Sequence, residues 1–123
     1  MTVVFTSVRP LLRTKDLQGT IAFYTQRLGF EVVGFSSEDG WASLRRDTIE
    51  LMVASPNAHT PFEVPAFTGS LYFNVSDAAS LWASVKDVAQ VAYPLEDFFY
   101  GMREFAINDN NGYLLQFGQP LDR

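Results

Sequence analysis

Among the residues able to do chemistry, aromatic and amide side chains dominate, and they point to binding rather than bond-making. Phe98-Phe99-Tyr100, with Met102, is the densest aromatic cluster and lies in a polar-aromatic loop. Loops held by a rigid scaffold often bind ligands. The competing use is an apolar plug at a barrel end or a dimer seam. Trp41, at the head of a strand, can stack on a ligand or pack in a core or dimer interface. Ser70, Tyr72 and Asn74 alternate with apolar Leu71 and Phe73, so they share one strand face. Gln116 alternates with apolar neighbours in the same way. Such a face is either a polar cleft wall or a solvated sheet surface.

Bond-making chemistry finds less support. His59 is the only histidine and sits beside Thr60-Pro61, as a solvated linker residue would. No nucleophile elbow accompanies it. With no cysteine, thiolate zinc sites, disulfides and cysteine nucleophiles are excluded. No Gly-x-Gly or phosphate loop offers a nucleotide cradle. The paired carboxylates Glu38-Asp39 fall in a turn and face solvent.

These residues need elements to hold them. Phe5 to Thr14 reads as a first strand, an edge strand or a bulged one because Pro10 cannot donate to a ladder. Asp16 is placed to cap a helix. Leu17, Ile21, Tyr24 and Leu28 give that helix one apolar face, and Gly29 fits its left-handed stop. Strands follow at Phe30 to Phe35, Trp41 to Arg46 and Ile49 to Ala54. Asp39-Gly40 turns the first hairpin and Asp47-Thr48 the second. Ser55 to Phe67 holds three prolines and reads as a linker. The pattern then repeats. Ser70 to Val75 is a strand, and Ser76 or Asp77 caps a helix through Leu81, Trp82 and Val85, with Trp82 in the core. Gln90 to Tyr93, Arg103 to Ile107 and Tyr113 to Phe117 are strands. Pro94 to Met102 is a loop, and Asp109-Asn110-Asn111-Gly112 is a hairpin turn. The whole is one α+β domain of two βαβββ modules: module one 1–54, linker 55–67, module two 68–123.

Composition narrows the partners. The chain has 123 residues and a formal net charge of -5. Phosphate neutralisation, and with it nucleic-acid binding, is disfavoured. A cationic or neutral ligand suits this field better than an anion. The N-terminal Met1 to Thr6 lacks the basic region and apolar run of a signal peptide. No apolar stretch approaches the roughly 18 residues of a membrane span. A cytoplasmic protein without membrane partners is expected.

Three stretches carry a resemblance to a known family. They are Asp16-Leu17 with Phe23-Tyr24 and Leu28-Gly29-Phe30; Thr48-Ile49-Glu50-Leu51; and the run from Arg103-Glu104-Phe105 through Asp109-Asn110-Asn111-Gly112 to Phe117. With the repeat, they resemble the vicinal oxygen chelate superfamily of glyoxalase I, extradiol dioxygenases, and fosfomycin and bleomycin resistance proteins. The resemblance implies two modules whose sheets curl around a concave cleft. It also implies a homodimer, often with modules of different subunits completing each cleft. Metal-dependent members place ligands on the first and fourth strands of each module. Carried over by position, those places hold Arg9, Glu50, Ser70 and Gln116.

A divalent metal needs lone-pair donors. Arg9 has only N–H groups and stays charged, and Ser70 is a poor ligand. An Arg9–Glu50 ion pair is expected where the cation would sit. The preferred reading is metal-independent small-molecule binding, similar to the bleomycin resistance proteins, with no cofactor. Trp41, Glu50, Tyr72, Phe98, Tyr100 and Gln116 would line the cleft, joined by Arg9, Ser70, Asn74 and Arg103. Stacking and acidic groups would favour an aromatic cation. Two alternatives remain open. One is a metal-dependent lyase, isomerase or dioxygenase using Glu50 and Gln116. The other is a dimeric accessory module with a filled cleft.

Overall fold

The computed structural model describes residues 2–57 and 62–121. His59 therefore lies outside the described residues. The element order is β1 (Leu11–Arg13), α1 (Leu17–Ala22), a π-helical turn (Phe23–Arg27), β2 (Glu31–Ser36), β3 (Trp41–Arg46) and β4 (Ile49–Ala54). Then come β5 (Leu71–Asn74), α2 (Ala78–Val85), β6 (Gln90–Asp97), β7 (Met102–Asn108) and β8 (Leu114–Pro120). They form two four-stranded mixed sheets, ordered β1-β4-β3-β2 and β5-β8-β7-β6. In each, the first strand runs parallel to the fourth and the rest are antiparallel. The architecture is α+β with two βαβββ modules, and the sheets do not close on each other.

Local chemistry explains the element starts. The Asp16 side chain accepts from the Gly19 N–H, and Asp77 accepts from the Ser80 N–H. Each satisfies an orphan donor of a helix's first turn. Asp39-Gly40 and Asp47-Thr48 turn the chain as expected, with Gly40 at φ 70° and Asp47 at φ 53°.

Three expectations need correction. The first strand is only Leu11–Arg13; residues 2–9 are exposed and outside any ladder. Pro10 supplies the reason. It has no N–H to donate, though its carbonyl accepts from Met52 N at 2.8 Å and so starts the ladder. The first helix is α-helical only to Ala22. The Thr25 hydroxyl donates to Ile21 O at 2.8 Å and competes for helix carbonyls, and the chain widens into a π turn there. The stretch after Tyr93 is not a loop throughout, because β6 runs on to Asp97 through Pro94. β6 is an edge strand with two register breaks, the setting in which a strand tolerates proline.

One apolar cluster joins the modules. Leu12, Leu44, Leu51 and Val53 of the first sheet meet Phe105, Ile107, Leu115 and Phe117 of the second, together with Tyr24, Leu28 and Val85. Trp82 packs on Phe105, with ring centroids 5.3 Å apart. Residues of opposite parity on the same strands turn away from this core, by the period of two.

Candidate functional site

The face of the second sheet turned from the core carries an unusual polar cluster. Register places Tyr72, Gln116, Ala106 and Tyr93 in one row across β5, β8, β7 and β6. The neighbouring row holds Asn74, Gly118, Glu104 and Glu96. Ala106 and Gly118 are small, so the phenols can lean over the sheet. Glu104 is only 2% exposed. Its Oε1 accepts from the Tyr72 hydroxyl at 2.6 Å and from Tyr100 at 2.9 Å. Its Oε2 accepts from Tyr93. Gln116 Nε2 donates to the Tyr93 oxygen at 2.9 Å, and Ser70 donates to Gln116 Oε1. Among the described residues no cation pairs with Glu104.

Desolvation, followed by the bond to Glu104, pushes the Tyr93 phenol up to about 12. The same causes, in the same order, raise Tyr72 and Tyr100. All three phenols are therefore neutral donors at physiological pH. Phe98 extends the cluster. Its ring meets Tyr93 edge-on at 5.7 Å and Tyr100 at 5.4 Å.

The corresponding face of the first sheet is wired differently. Arg9 Nε lies 3.2 Å from Glu50 Oε2, so the expected ion pair is present. Its side chains are 47% and 27% exposed, so it is washed by solvent rather than desolvated. Ser43 donates to Glu50 Oε1 at 3.5 Å. The Trp41 ring lies against Gly34 on the neighbouring strand.

The four positions implied as metal ligands thus form two separate pairs, Arg9 with Glu50 and Ser70 with Gln116. Among the described residues no hydrogen bond or ion pair joins them. A guanidinium and a hydroxyl committed to an amide do not fit a divalent ion. No three His, Cys, Asp or Glu among the described residues group as a metal site would require. Arg103 lies on the opposite parity from Glu104 and pairs with Asp97 through 2.8 and 3.2 Å bonds.

A cavity of about 460 Å³ lies between the modules. It is lined by Arg27, Leu28, Phe30, Arg46 and Ile49 from one side and Phe73, Asn74, Ser80, Leu81 and Phe117 from the other. Of the ten expected site residues only Asn74 reaches it. Glu104 and Tyr93 were not among the expected site residues. The legible signal for Glu104 is a carboxylate directly before the apolar run Phe105-Ala106-Ile107. Tyr93 was hidden because Pro94 suggested that its strand ended there.

Solved structures share this architecture. The bleomycin resistance determinant encoded on transposon Tn5 is 25% identical, with a TM-score of 0.75 over 94% of this chain and 98% of that one. The bleomycin-binding protein of Streptomyces verticillus, solved with copper(II)-bleomycin, is 23% identical, with a TM-score of 0.70 over 99% and 100% of the two chains. A lactoylglutathione lyase from Agrobacterium tumefaciens is 17% identical, with a TM-score of 0.71 over 93% and 92%. A comparison with curated proteins finds no match. The sequence model of the glyoxalase/bleomycin resistance protein/dioxygenase superfamily matches residues 6–117. With that match spanning nearly the whole chain, the protein belongs to the glyoxalase/bleomycin resistance protein/dioxygenase superfamily.

Proposed function

We propose that this protein binds a small aromatic cation without a metal and without turnover, as a homodimer in the cytoplasm. One observation carries the reading. The positions that would hold a metal instead hold an Arg9–Glu50 ion pair and a Ser70–Gln116 hydrogen bond. Each of these four side chains is engaged with another of them. Trp41 of the first sheet and Tyr72, Phe98 and Tyr100 of the second support stacking as the source of affinity. The net charge of -5 attracts a cation. Bleomycin binding by the Streptomyces verticillus protein on the same fold supports the choice of ligand class. The dimer is supported by two outward sheet faces that do not meet within one protomer and by β1 and β5 edges paired on one side only. A cytosolic location suits the cysteine-free sequence.

The test combines metal counting with titration. The untagged protein is incubated in turn with nickel, zinc, manganese and ferrous iron, then desalted. Far less than one metal per protomer is expected. Bleomycin and simpler aromatic cations should then quench tryptophan fluorescence saturably, and sedimentation should give a dimer. A ratio near one metal per protomer would instead favour a metal-dependent lyase, isomerase or dioxygenase. A flat response to every compound would end the binding reading.

A further inference from the structure

We propose that the tyrosine cluster over Glu104 is a recognition site for an alkylated ammonium group, such as a trimethylammonium head. The inference rests on the small-molecule binding reading and assigns its cationic contact to module two. In module one the acidic group, Glu50, is offset by Arg9. In module two the acidic group, Glu104, is offset only by neutral hydroxyls of Tyr72, Tyr93 and Tyr100. Glu96, opposite Glu104 on β6 and felt by the Tyr100 phenol, adds to the negative charge there.

Geometry selects the kind of cation. Glu104 is 2% exposed and both its oxygens are engaged, so a ligand N–H finds little carboxylate to meet. What a ligand meets is phenol. Tyr72 is 41% exposed and Tyr100 is 48% exposed. A phenol donating to a carboxylate is polarised, which makes its oxygen and ring more negative. The Tyr93, Phe98 and Tyr100 rings pack edge to face at 80° and 61°, so ring faces stay open to a ligand rather than closing on each other in a stack. Converging rings above a negative charge attract cations through their faces. A primary ammonium surrenders more hydration than the phenol oxygens return to it. An alkylated ammonium has little hydration to lose and buries methyl groups against the rings.

Gly118 makes the arrangement possible. A Cβ there would stand 1.9 Å from the Tyr72 hydroxyl oxygen. That atom is the far end of a movable side chain, so Gly118→Ala displaces the phenol from Glu104 with little damage to the sheet. The variant moves one ring of the cluster and removes one hydrogen bond to Glu104 while keeping the carboxylate's charge.

The probes are choline, its neutral tert-butyl isostere and ethanolamine, titrated by calorimetry into the full chain. Choline should bind saturably, and the other two at least about tenfold more weakly. Glu104→Gln and Gly118→Ala should each weaken choline by about tenfold, and Glu104→Gln should leave the neutral isostere unchanged. Circular dichroism checks that each variant is folded. If Glu104→Gln does not fold, Gly118→Ala and Tyr100→Phe decide. Equal binding of choline and its isostere would overturn the proposal, as would folded variants that bind choline like the wild type. Saturable binding of bleomycin or a simpler aromatic cation with none of choline would overturn it while the binding reading stands. No response to either class would end both.

Discussion

At the scale of the residue, hydroxyls are the informative groups. All five tyrosines are held above the ordinary phenol value of 10.0, each chiefly by burial. A raised folded-state value contributes stability that is complete below pH 10 and is lost as pH rises through the folded value, near 12 for Tyr93. Alkaline titration followed by phenolate absorbance should therefore show no tyrosine ionising at its normal pH in the folded protein. Ionisation and loss of structure should arrive together above pH 10. A full-amplitude phenolate step near pH 10 with structure intact would contradict the buried donor network. Tyr93→Phe should cost about 2 kcal/mol in urea unfolding, because it takes a donor from a buried carboxylate and an acceptor from Gln116. Of this network the sequence made Tyr72, Tyr100, Ser70 and Gln116 legible as polar or aromatic positions. It did not disclose their common partner. Glu104 bonds Tyr72 across 32 residues and Tyr93 across 11. Such contacts leave no local pattern.

At the scale of the element, caps and turns follow short-range rules and were readable in place. Gly29 takes φ 69° at the end of the first helical segment, as its position implied. Gly19 adds a less obvious rule. A Cβ there would meet the Asp16 carboxylate at 2.1 Å. In a helix, glycine to alanine ordinarily gains about 1 kcal/mol. Here Gly19→Ala should gain nothing, because it evicts the Asp16 cap, itself worth about 1 kcal/mol. In an Asp16→Ala background the same change should become stabilising by up to about 1 kcal/mol. A double-mutant cycle by urea unfolding measures this coupling, and simple additivity would refute it. The π turn was not readable, because it arises from a competition for carbonyls that helical periodicity does not express. It accompanies a fully buried Tyr24 whose hydroxyl reaches across to the other module.

At the scale of the molecule, that hydroxyl is part of a clamp. Asp109, 3% exposed, accepts from Tyr24 at 2.7 Å and from the N–H groups of Asn111, Gly112 and Tyr113. Thr14 donates to Asn111, and the Tyr113 hydroxyl exchanges bonds with the Arg13 backbone. The second-module turn thus grips β1 and the first helix. Asp109→Ala should cost about 3 kcal/mol, since it strands buried donors from both modules. Unfolding should remain one cooperative transition, because a single apolar cluster spans both sheets. Two resolved calorimetric transitions in the wild type would contradict this. The sequence by itself determined the α+β class, the repeated βαβββ order, the caps and the hairpin turns. Each depends on residues within a few positions of one another. It also excluded thiolate chemistry, through composition alone. Only the tertiary structure decided that the two implied ligand pairs lie on separate faces. It alone placed three phenols on one buried carboxylate and a clamp between the modules. Those outcomes depend on strand register and inter-module packing, where the interacting atoms are distant along the chain and close only after folding.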